Sequence, residues 1–227
     1  NYFLVSCHRE ENVDNILNVD RSLWMHAFNY TLINFDSYVG YGQNYYLYQG
    51  LSNQFHPILW DLNMSFGGFR LTDATQSYFN GFNISQAQTM DPLNFLNNNF
   101  LSPRPLITKL LSNSRHQRMY LAHMRTIVEE HFSNQSYITR AQYLQNLISN
   151  DVQNDVNKFY SYNDFLDNIN NQVNIPSSIC PGISQLMDAR TTFLTNYWSG
   201  FTQPNISNIQ TLPNSSQIFG NDLTITA

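Results

Sequence analysis

Four polar side chains occupy positions from which they could act together: Asp36, Asn44, Asp61 and Asn63. Asp36 lies in a turn-rich stretch, Asn44 begins a strand-like run, and Asp61 directly follows a second such run. Carboxylate and amide oxygens suit Mg²⁺, which takes few protein ligands and binds substrate phosphate as well. Phosphoryl transfer needs such parts, because one Asp orients or deprotonates the acceptor hydroxyl while an Asn and a second Asp hold the metal ions.

The same residues also have two other interpretations. Asp and Asn favour turns and helix caps, so Asp36 and Asp61 could be structural. A hydrolase with paired carboxylates would need Asp36 and Asp61 close together without an Asn–metal site. The spacing alone leaves all three interpretations open.

A β-hairpin is the element expected to position these side chains. Residues 44–48 (NYYLY) and 55–60 (FHPILW) are rich in aromatic and branched side chains, and residues 50–53 form a turn between them. A tight hairpin brings Asn44 and Asp61 together at its open end, and the loop before Asn44 can return Asp36 to the same place. Pro57 predicts that the second strand is an edge strand or a bulged one.

Most of the remaining chain is predicted to be helical. Residues 20–33 are predicted to form a helix with Asp20 as N-cap and a core stripe of Leu23, Trp24, Ala27, Phe28 and Thr31. His26 falls off that stripe, and we expect a surface or hydrogen-bonded histidine rather than a ligand. Residues 70–102 read as a surface excursion with short helices. Further helices are predicted at residues 106–111, 115–132, 139–149, 162–170 and 183–198. In the predicted helix 115–132, the side chains expected to face inward are Met119, Ala122 or His123, Ile127 and Val128. In the predicted helix 183–198 they are Ile183, Leu186, Met187, Phe193, Leu194 and Trp198.

Composition excludes several classes of protein. The 227 residues include 11 Lys+Arg and 16 Asp+Glu, and the net charge of -5 disfavours a non-specific binder of nucleic acid or of anionic membranes. The 15% aromatic content argues against disorder, and no apolar run is long enough to span a membrane. The two cysteines, Cys7 and Cys180, do not make a disulfide scaffold, and we expect two free, buried thiols rather than a bridge.

Several segments together resemble the CotH kinase family, the atypical protein kinases similar to spore coat protein H. They are residues 18–25 (NVDRSLWM), 36–40 (DSYVG), 44–48 (NYYLY), 60–67 (WDLNMSFG), 104–111 (RPLITKLL), the helix around 118–124, and 188–190 (DAR). The resemblance covers roughly residues 1–198. The pairing of NYYLY with WDLN is its most specific part.

The resemblance implies a protein-kinase-like large lobe, α+β and mainly α-helical, that uses ATP with Mg²⁺ or Mn²⁺ to phosphorylate Ser/Thr of a protein substrate. It implies that Asp36 is the catalytic aspartate, that Asn44 and Asp61 bind the metal, and that Asn63 is a further polar contact to the nucleotide. The alternative is a pseudokinase or a cell-surface adhesion module without catalysis.

Two departures from the kinase pattern shape the expected domain organisation. No His-Arg pair precedes Asp36, and the glycine expected directly after the metal aspartate appears only at Gly67. The two lysines, Lys109 and Lys158, sit in predicted helical segments, so neither supplies the phosphate-contacting lysine of a small lobe. We therefore expect residues 1–198 to be a large lobe without its small lobe. Residues 199–227 are either a linker with the possible first strand or strands of a β-sandwich module, as in bacterial cell-surface proteins that resemble this chain, or a tail packed on the helices. The alternation of Leu223 and Ile225 is typical of a strand. The resemblance implies a secreted or bacterial cell-surface location.

Overall fold

The computed structural model describes residues 13–70, 81–93, 104–175, 178–201, 210–212 and 224–226. Within these ranges the chain is mainly helical with small antiparallel sheets, which confirms the predicted α+β class. The helices are α1 (Val13–Ile16), α2 (Val19–Thr31), α3 (Ile84–Gln88), α4 (Pro105–Thr108), α5 (Ser114–Ile127), α6 (Ser136–Asn154), α7 (Tyr162–Asp167) and α8 (Ile183–Ser199). The strands pair as β1 (Tyr45–Gln49) with β2 (Phe55–Leu59), β3 (Val173–Ile175) with β4 (Ser178–Cys180), and β5 (Gln210–Leu212) with β6 (Thr224–Thr226).

Helix α2 is the central helix of the core, and it begins earlier than predicted. Its N-cap is Asn18, whose side-chain oxygen accepts a hydrogen bond from the backbone N–H of Arg21 at 2.9 Å, so the prediction of Asp20 as the cap was wrong. Asn18 is the better placed residue because its extended backbone lets the side chain turn back onto the free N–H groups of the first turn. The predicted core stripe is buried except for Trp24, which is 36% exposed, and the half-buried Phe28.

Helix α5 packs along α2. The sequence predicted one helix over residues 115–132, but the last turn, Val128–Phe132, is a π-helix. Ile127 and Val128 are buried as predicted, whereas Ala122 is exposed and His123 and Met119 are only half-buried. The buried stripe of α5 instead follows His116, Tyr120, Met124 and Ile127.

The predicted hairpin is confirmed as β1 and β2, with Tyr45 opposite Leu59 and Gln49 opposite Phe55. The other edge of β2 contacts the start of α2, because the N–H of Asn18 donates to the Phe55 carbonyl at 2.9 Å and Arg21 Nε donates to the Pro57 carbonyl at 2.9 Å. Residues 55 and 57 therefore direct their backbone groups away from β1. The missing N–H of Pro57 would point away from β1, so its absence costs the hairpin no hydrogen bond. This agrees with the prediction that β2 is an edge strand.

The remaining helix predictions are largely confirmed. Helix α4 begins at Pro105, one residue before the predicted start, and is followed by a 3₁₀ turn at Leu110–Ser112. Helix α6 is longer than predicted, and α7 ends at Asp167 rather than at residue 170. In α8, Leu186, Met187, Leu194 and Trp198 are buried, while Ile183 and Phe193 are half-buried. The predicted excursion over residues 70–102 contains α3, and its other described residues are 70, 81–83 and 89–93.

The chain divides into two compact units, Asn1–Asn196 and Tyr197–Ala227. In the second unit β5 and β6 form a hairpin with Thr211 opposite Ile225. The strand-like character predicted around Ile225 is therefore present, whereas Leu223 lies outside the described residues. The boundary at residues 198/199 and the β-sandwich module stay predictions.

Cys180 carries a free thiol and is half-buried, and this burial raises its pKa. Cys7 lies outside the described residues. Among the helices that the structure describes, none combines the length and the apolar character needed to cross a membrane.

Candidate functional site

The loop that carries Asp36 is ordered by its own backbone. After α2, the carbonyl of Ser37 accepts hydrogen bonds from the N–H groups of Tyr41 and Gly42 at 3.1 and 3.0 Å, which closes a compact turn. The backbone of Gly42 has a φ of 70°, a conformation that a side chain would strain. Phe35 is buried and packs edge-on against other aromatic rings, so the residue directly before Asp36 anchors the loop in the core.

Two residues near the start of α4 hold the same loop from the other side. Arg104 is buried, and its Nη2 donates to the carbonyl of Gly40 at 2.5 Å. The N–H of Leu106 donates to the Tyr38 hydroxyl at 2.8 Å. Sequence reasoning placed Arg104 in a family-like segment but did not predict this contact, because the two partners are 64 residues apart.

Asp36 is half-buried and lies beside Asn44. The Nδ2 of Asn44 donates to the backbone carbonyl of Asp36 at 2.8 Å. Gln43 donates from its Nε2 to Oδ1 of Asp36. Gln43 was not predicted as a site residue, and the only sequence signal for it is its position directly before Asn44. Because the amide nitrogen of Asn44 is engaged, its amide oxygen is the atom that could bind a cation.

Asn44 and Asp61 flank the open end of the hairpin. Tyr45 pairs with Leu59, so Asn44 precedes the paired end by one residue and Asp61 follows it by two. Both have left-handed backbones, with φ of 55° for Asn44 and 50° for Asp61. Asn and Asp tolerate this conformation better than most side chains, yet it is uncommon. Two such residues at one end of a hairpin redirect the chain sharply on both sides of it.

The segment after Asp61 returns to the segment before Asp36. The N–H of Phe66 donates to the Leu32 carbonyl at 2.8 Å, and the N–H of Gly67 donates to the Ile33 carbonyl at 3.2 Å. Ile33 has a φ of 51°, which is strained for a β-branched residue. The loops that carry Asp36 and Asp61 are therefore joined twice, by the hairpin and by these backbone bonds.

The carboxylate of Asp61 and the amide of Asn63 face an open surface. Both residues are exposed, and Asn63 makes no hydrogen bond to Asp36, Asn44 or Asp61 in the part of the chain that is described. The structure therefore brings Asp36 and Asn44 into contact, places Asp61 at the same hairpin end, and leaves Asn63 unconnected to them.

The residues fit a metal that arrives with a phosphate better than a metal held by protein alone. In the described ranges no three or more His, Cys, Asp or Glu side chains cluster as a metal site. Mg²⁺ bound with a nucleotide needs only one or two carboxylates, since phosphate and water supply the other ligands. The presence of Asn44 beside Asp36 argues against a site made of paired carboxylates alone.

The structure thus defines a mainly helical domain in which the Asp36 loop and the Asp61 loop are joined by the β1–β2 hairpin and by hydrogen bonds. A family model described as CotH kinase protein matches residues 6–188, which is most of the chain. The chain belongs to the CotH kinase family, as its sequence segments predicted. No curated protein matches it.

Proposed function

We propose that this chain carries the catalytic and metal-binding loops of an ATP- and Mg²⁺-dependent protein kinase that phosphorylates Ser or Thr. The proposal rests on one observation: the hairpin and the hydrogen bonds around it hold the loops of Asp36 and Asp61 next to each other. Membership of the CotH kinase family supports it. The kinase-like large lobe, its companion small lobe, the neighbouring β-sandwich modules and a bacterial cell-surface or secreted location belong to the same proposal.

Asp36 is the residue proposed to accept a hydrogen bond from the substrate hydroxyl that is phosphorylated. Gln43 occupies one carboxylate oxygen, Oδ1, and this hydrogen bond fixes the carboxylate plane. The second oxygen can then accept a hydrogen bond from a Ser or Thr hydroxyl and take its proton as the phosphoryl group is transferred. Gln43 is a positioning residue in this scheme.

Asn44 and Asp61 are the residues proposed to hold Mg²⁺ or Mn²⁺ through an amide oxygen and a carboxylate. The ion, when bound with ATP, neutralises charge that develops on the phosphates. The left-handed backbones at both positions turn the two side chains out of the hairpin ladder. Asn63 is proposed as a weaker polar contact to the nucleotide, because it is exposed close to Asp61.

The two lysines of the chain are placed for other roles. Lys158 was predicted to lie in a helical segment, but it lies in the loop after α6. Its ammonium donates there to the carbonyls of Gln153 and Asp155 at 3.2 and 2.7 Å. Lys109 lies between α4 and the 3₁₀ turn. We therefore propose that the lysine that contacts phosphate comes from the small lobe.

The test is phosphate transfer from γ-labelled ATP to a Ser/Thr-containing acceptor such as casein, using the protein that contains this chain. We expect Asp36→Asn to lower kcat by about 10²- to 10⁴-fold with nucleotide affinity retained, which is the usual contribution of a general base. Asp61→Asn should weaken binding of the metal–nucleotide complex.

The matched control is Asp155→Asn, which removes an exposed carboxylate in the loop after α6 and should leave the rate unchanged. Equal phosphate transfer by the wild type and the two site variants would contradict the assigned roles. A wild type that binds MgATP but transfers no phosphate would favour the pseudokinase alternative.

A further inference from the structure

Helix α6 exposes its more apolar face. None of its 19 residues is fully buried. The half-buried residues are Tyr137, Ile138, Ala141, Gln145, Ser149 and Val152, and the Tyr137 hydroxyl donates to Asp188 of α8 at 2.6 Å. The exposed side carries Tyr143, Leu144, Leu147 and Ile148, which are 56%, 41%, 63% and 45% exposed. An amphipathic helix of a globular protein normally buries its apolar stripe, and an exposed one marks an interaction surface.

Polar contacts to α7 fix this orientation. Gln145 Nε2 donates to the carbonyls of Phe165 and Leu166 at 2.7 and 3.2 Å, and the hydroxyls of Ser149 and Tyr162 are 2.5 Å apart. Helix α6 cannot rotate its apolar stripe inward without breaking these bonds. The described part of the chain therefore holds the stripe towards solvent.

The sequence of the stripe is self-complementary: read from either end, a charged residue is followed by apolar ones, and the two end charges are opposite. This pattern suits a second copy of the same helix. Charged residues lie at its two ends, Arg140 before Tyr143 and Asp151 after Ile148, and all six positions follow the helical spacing i, i+3, i+4, i+7, i+8 and i+11. Two copies of the helix, packed antiparallel around a two-fold axis midway along the stripe, would pair each residue with its mirror position. Arg140 would then face Asp151 of the other copy, and Leu144 would face Leu147.

We propose that the exposed face of α6, residues 140–151, is the self-complementary interface of a two-fold dimer of this protein. Such interfaces require that if residue i contacts residue j, then j contacts i, and the charge and apolar pattern of this stripe satisfies that condition. Within the described ranges neither Arg140 nor Asp151 takes part in an ion pair. Arg140 instead lies over the Tyr143 ring at 5.3 Å, where it can rotate towards a partner.

The exposed area of the stripe is that of a weak, reversible contact. Its four apolar side chains together expose roughly 400 Å², using a full area of about 200 Å² for a large side chain. A standard interface buries about 800 Å² per partner, and transient complexes bury less. A second copy that packs its own stripe here would therefore associate with modest affinity.

Sedimentation equilibrium of the whole protein tests the proposal. We expect the wild type to dimerise at or below about 100 µM, which is a modest affinity for an interface of this size. Leu144→Asp with Leu147→Asp should be monomeric at that concentration. The control is Leu51→Asp, because Leu51 is a still more exposed leucine, at 105%, in the distant β1–β2 turn, and its variant should still dimerise. Circular dichroism establishes that each variant is folded.

Charge reversal tests the antiparallel two-fold pairing itself. Arg140→Asp or Asp151→Arg places like charges opposite each other twice in the dimer, so each should weaken it by at least about tenfold at low salt. The double variant should restore dimerisation. The two single variants, when mixed, should form a heterodimer, since its contacts are all between opposite charges.

A wild type that is monomeric at about 100 µM would overturn the proposal. A dimer that survives the Leu144/Leu147 substitutions would also overturn it, because another surface would then form the contact. Failure of the reversed pair to restore association would rule out the two-fold antiparallel arrangement.

Discussion

At the scale of single residues, His26 shows how the core sets a pKa. The ring is fully buried, and its Nε2 donates to the Leu106 carbonyl at 3.0 Å, while Nδ1 has no hydrogen-bond partner among the described residues. Burial lowers the pKa of His26 from 6.5 to about 4, although the hydrogen bond to Leu106 opposes this effect. The ring is therefore neutral at neutral pH and serves as a packed hydrogen-bond donor.

This shift predicts a stability that falls on acidification. The unfolded chain binds a proton on His26 near pH 6.5, whereas the folded protein binds it only near pH 4. Between these values the unfolded state holds more protons, so the free energy of unfolding falls as pH falls, by up to about 1.4 kcal/mol per pH unit from this residue. Urea denaturation at pH 7 and pH 4.5 measures the loss.

The matched variant is His26→Gln, whose amide can keep a donor towards Leu106 but cannot titrate. We expect its free energy of unfolding to fall less than that of the wild type over the same pH range, since the other ionisable groups are common to both proteins. Identical pH dependence in the two proteins would show that His26 does not carry the effect.

Helical periodicity places His26 off the core stripe, because it identifies only one buried face of α2. The helix is instead enclosed on several sides, and His26, Met25 and Asn29 are buried with the stripe residues. Periodicity identifies a helix that packs on one side. It cannot predict that His26 bonds to Leu106, which lies 80 residues further along the chain.

At the scale of elements, Arg190 joins the ends of two helices. Its fully buried guanidinium donates to the carbonyls of Tyr30 and Thr31 at the end of α2, at 2.7 and 2.9 Å, and to those of Ala87 and Met90 at and just after the end of α3, both at 3.1 Å. The last carbonyls of a helix lack partners within the helix, and its C-terminal dipole favours a cation. Burial lowers the pKa of Arg190 to about 10, so it remains charged at neutral pH.

We predict that Arg190→Met destabilises the protein by at least about 3 kcal/mol, because several buried carbonyls lose their donors at once. Arg190→Lys should also be strongly destabilising, since an ammonium cannot reproduce the planar fork that reaches four carbonyls. The control is Arg118→Met on the exposed side of α5, expected to change stability by less than about 0.5 kcal/mol. Denaturant unfolding measures all three variants, and a small loss for Arg190→Met would contradict this role.

Elements with a strong local signal were predicted well. The aromatic runs around the turn at residues 50–53 predicted the β1–β2 hairpin, and helical spacing predicted α2, α5 and α8. The π-helix at Val128–Phe132 could not be predicted, because its residues fit an ordinary helical pattern and only tertiary packing distinguishes them.

At the scale of the whole molecule, the candidate site depends on contacts between distant segments. The sequence predicted that Asp36, Asn44 and Asp61 would converge, because a hairpin joins its own ends. It could not predict that Arg104 would hold the Asp36 loop at Gly40, or that residues 66 and 67 would bond to residues 32 and 33. Such contacts depend on how separate elements pack, and a single sequence does not encode that packing in any local pattern.

The proposed function requires that Asn44 and Asp61 hold a nucleotide-bound metal beside Asp36. The most direct measurement is the anomalous diffraction of Mn²⁺ in crystals of the protein that contains this chain, grown with a non-hydrolysable ATP analogue. We predict a metal peak about 2.2 Å from a carboxylate oxygen of Asp61 and from the amide oxygen of Asn44, with the terminal phosphate on the side of Asp36. A nucleotide-bound metal that contacts neither Asn44 nor Asp61 would show that these two residues do not form the metal site.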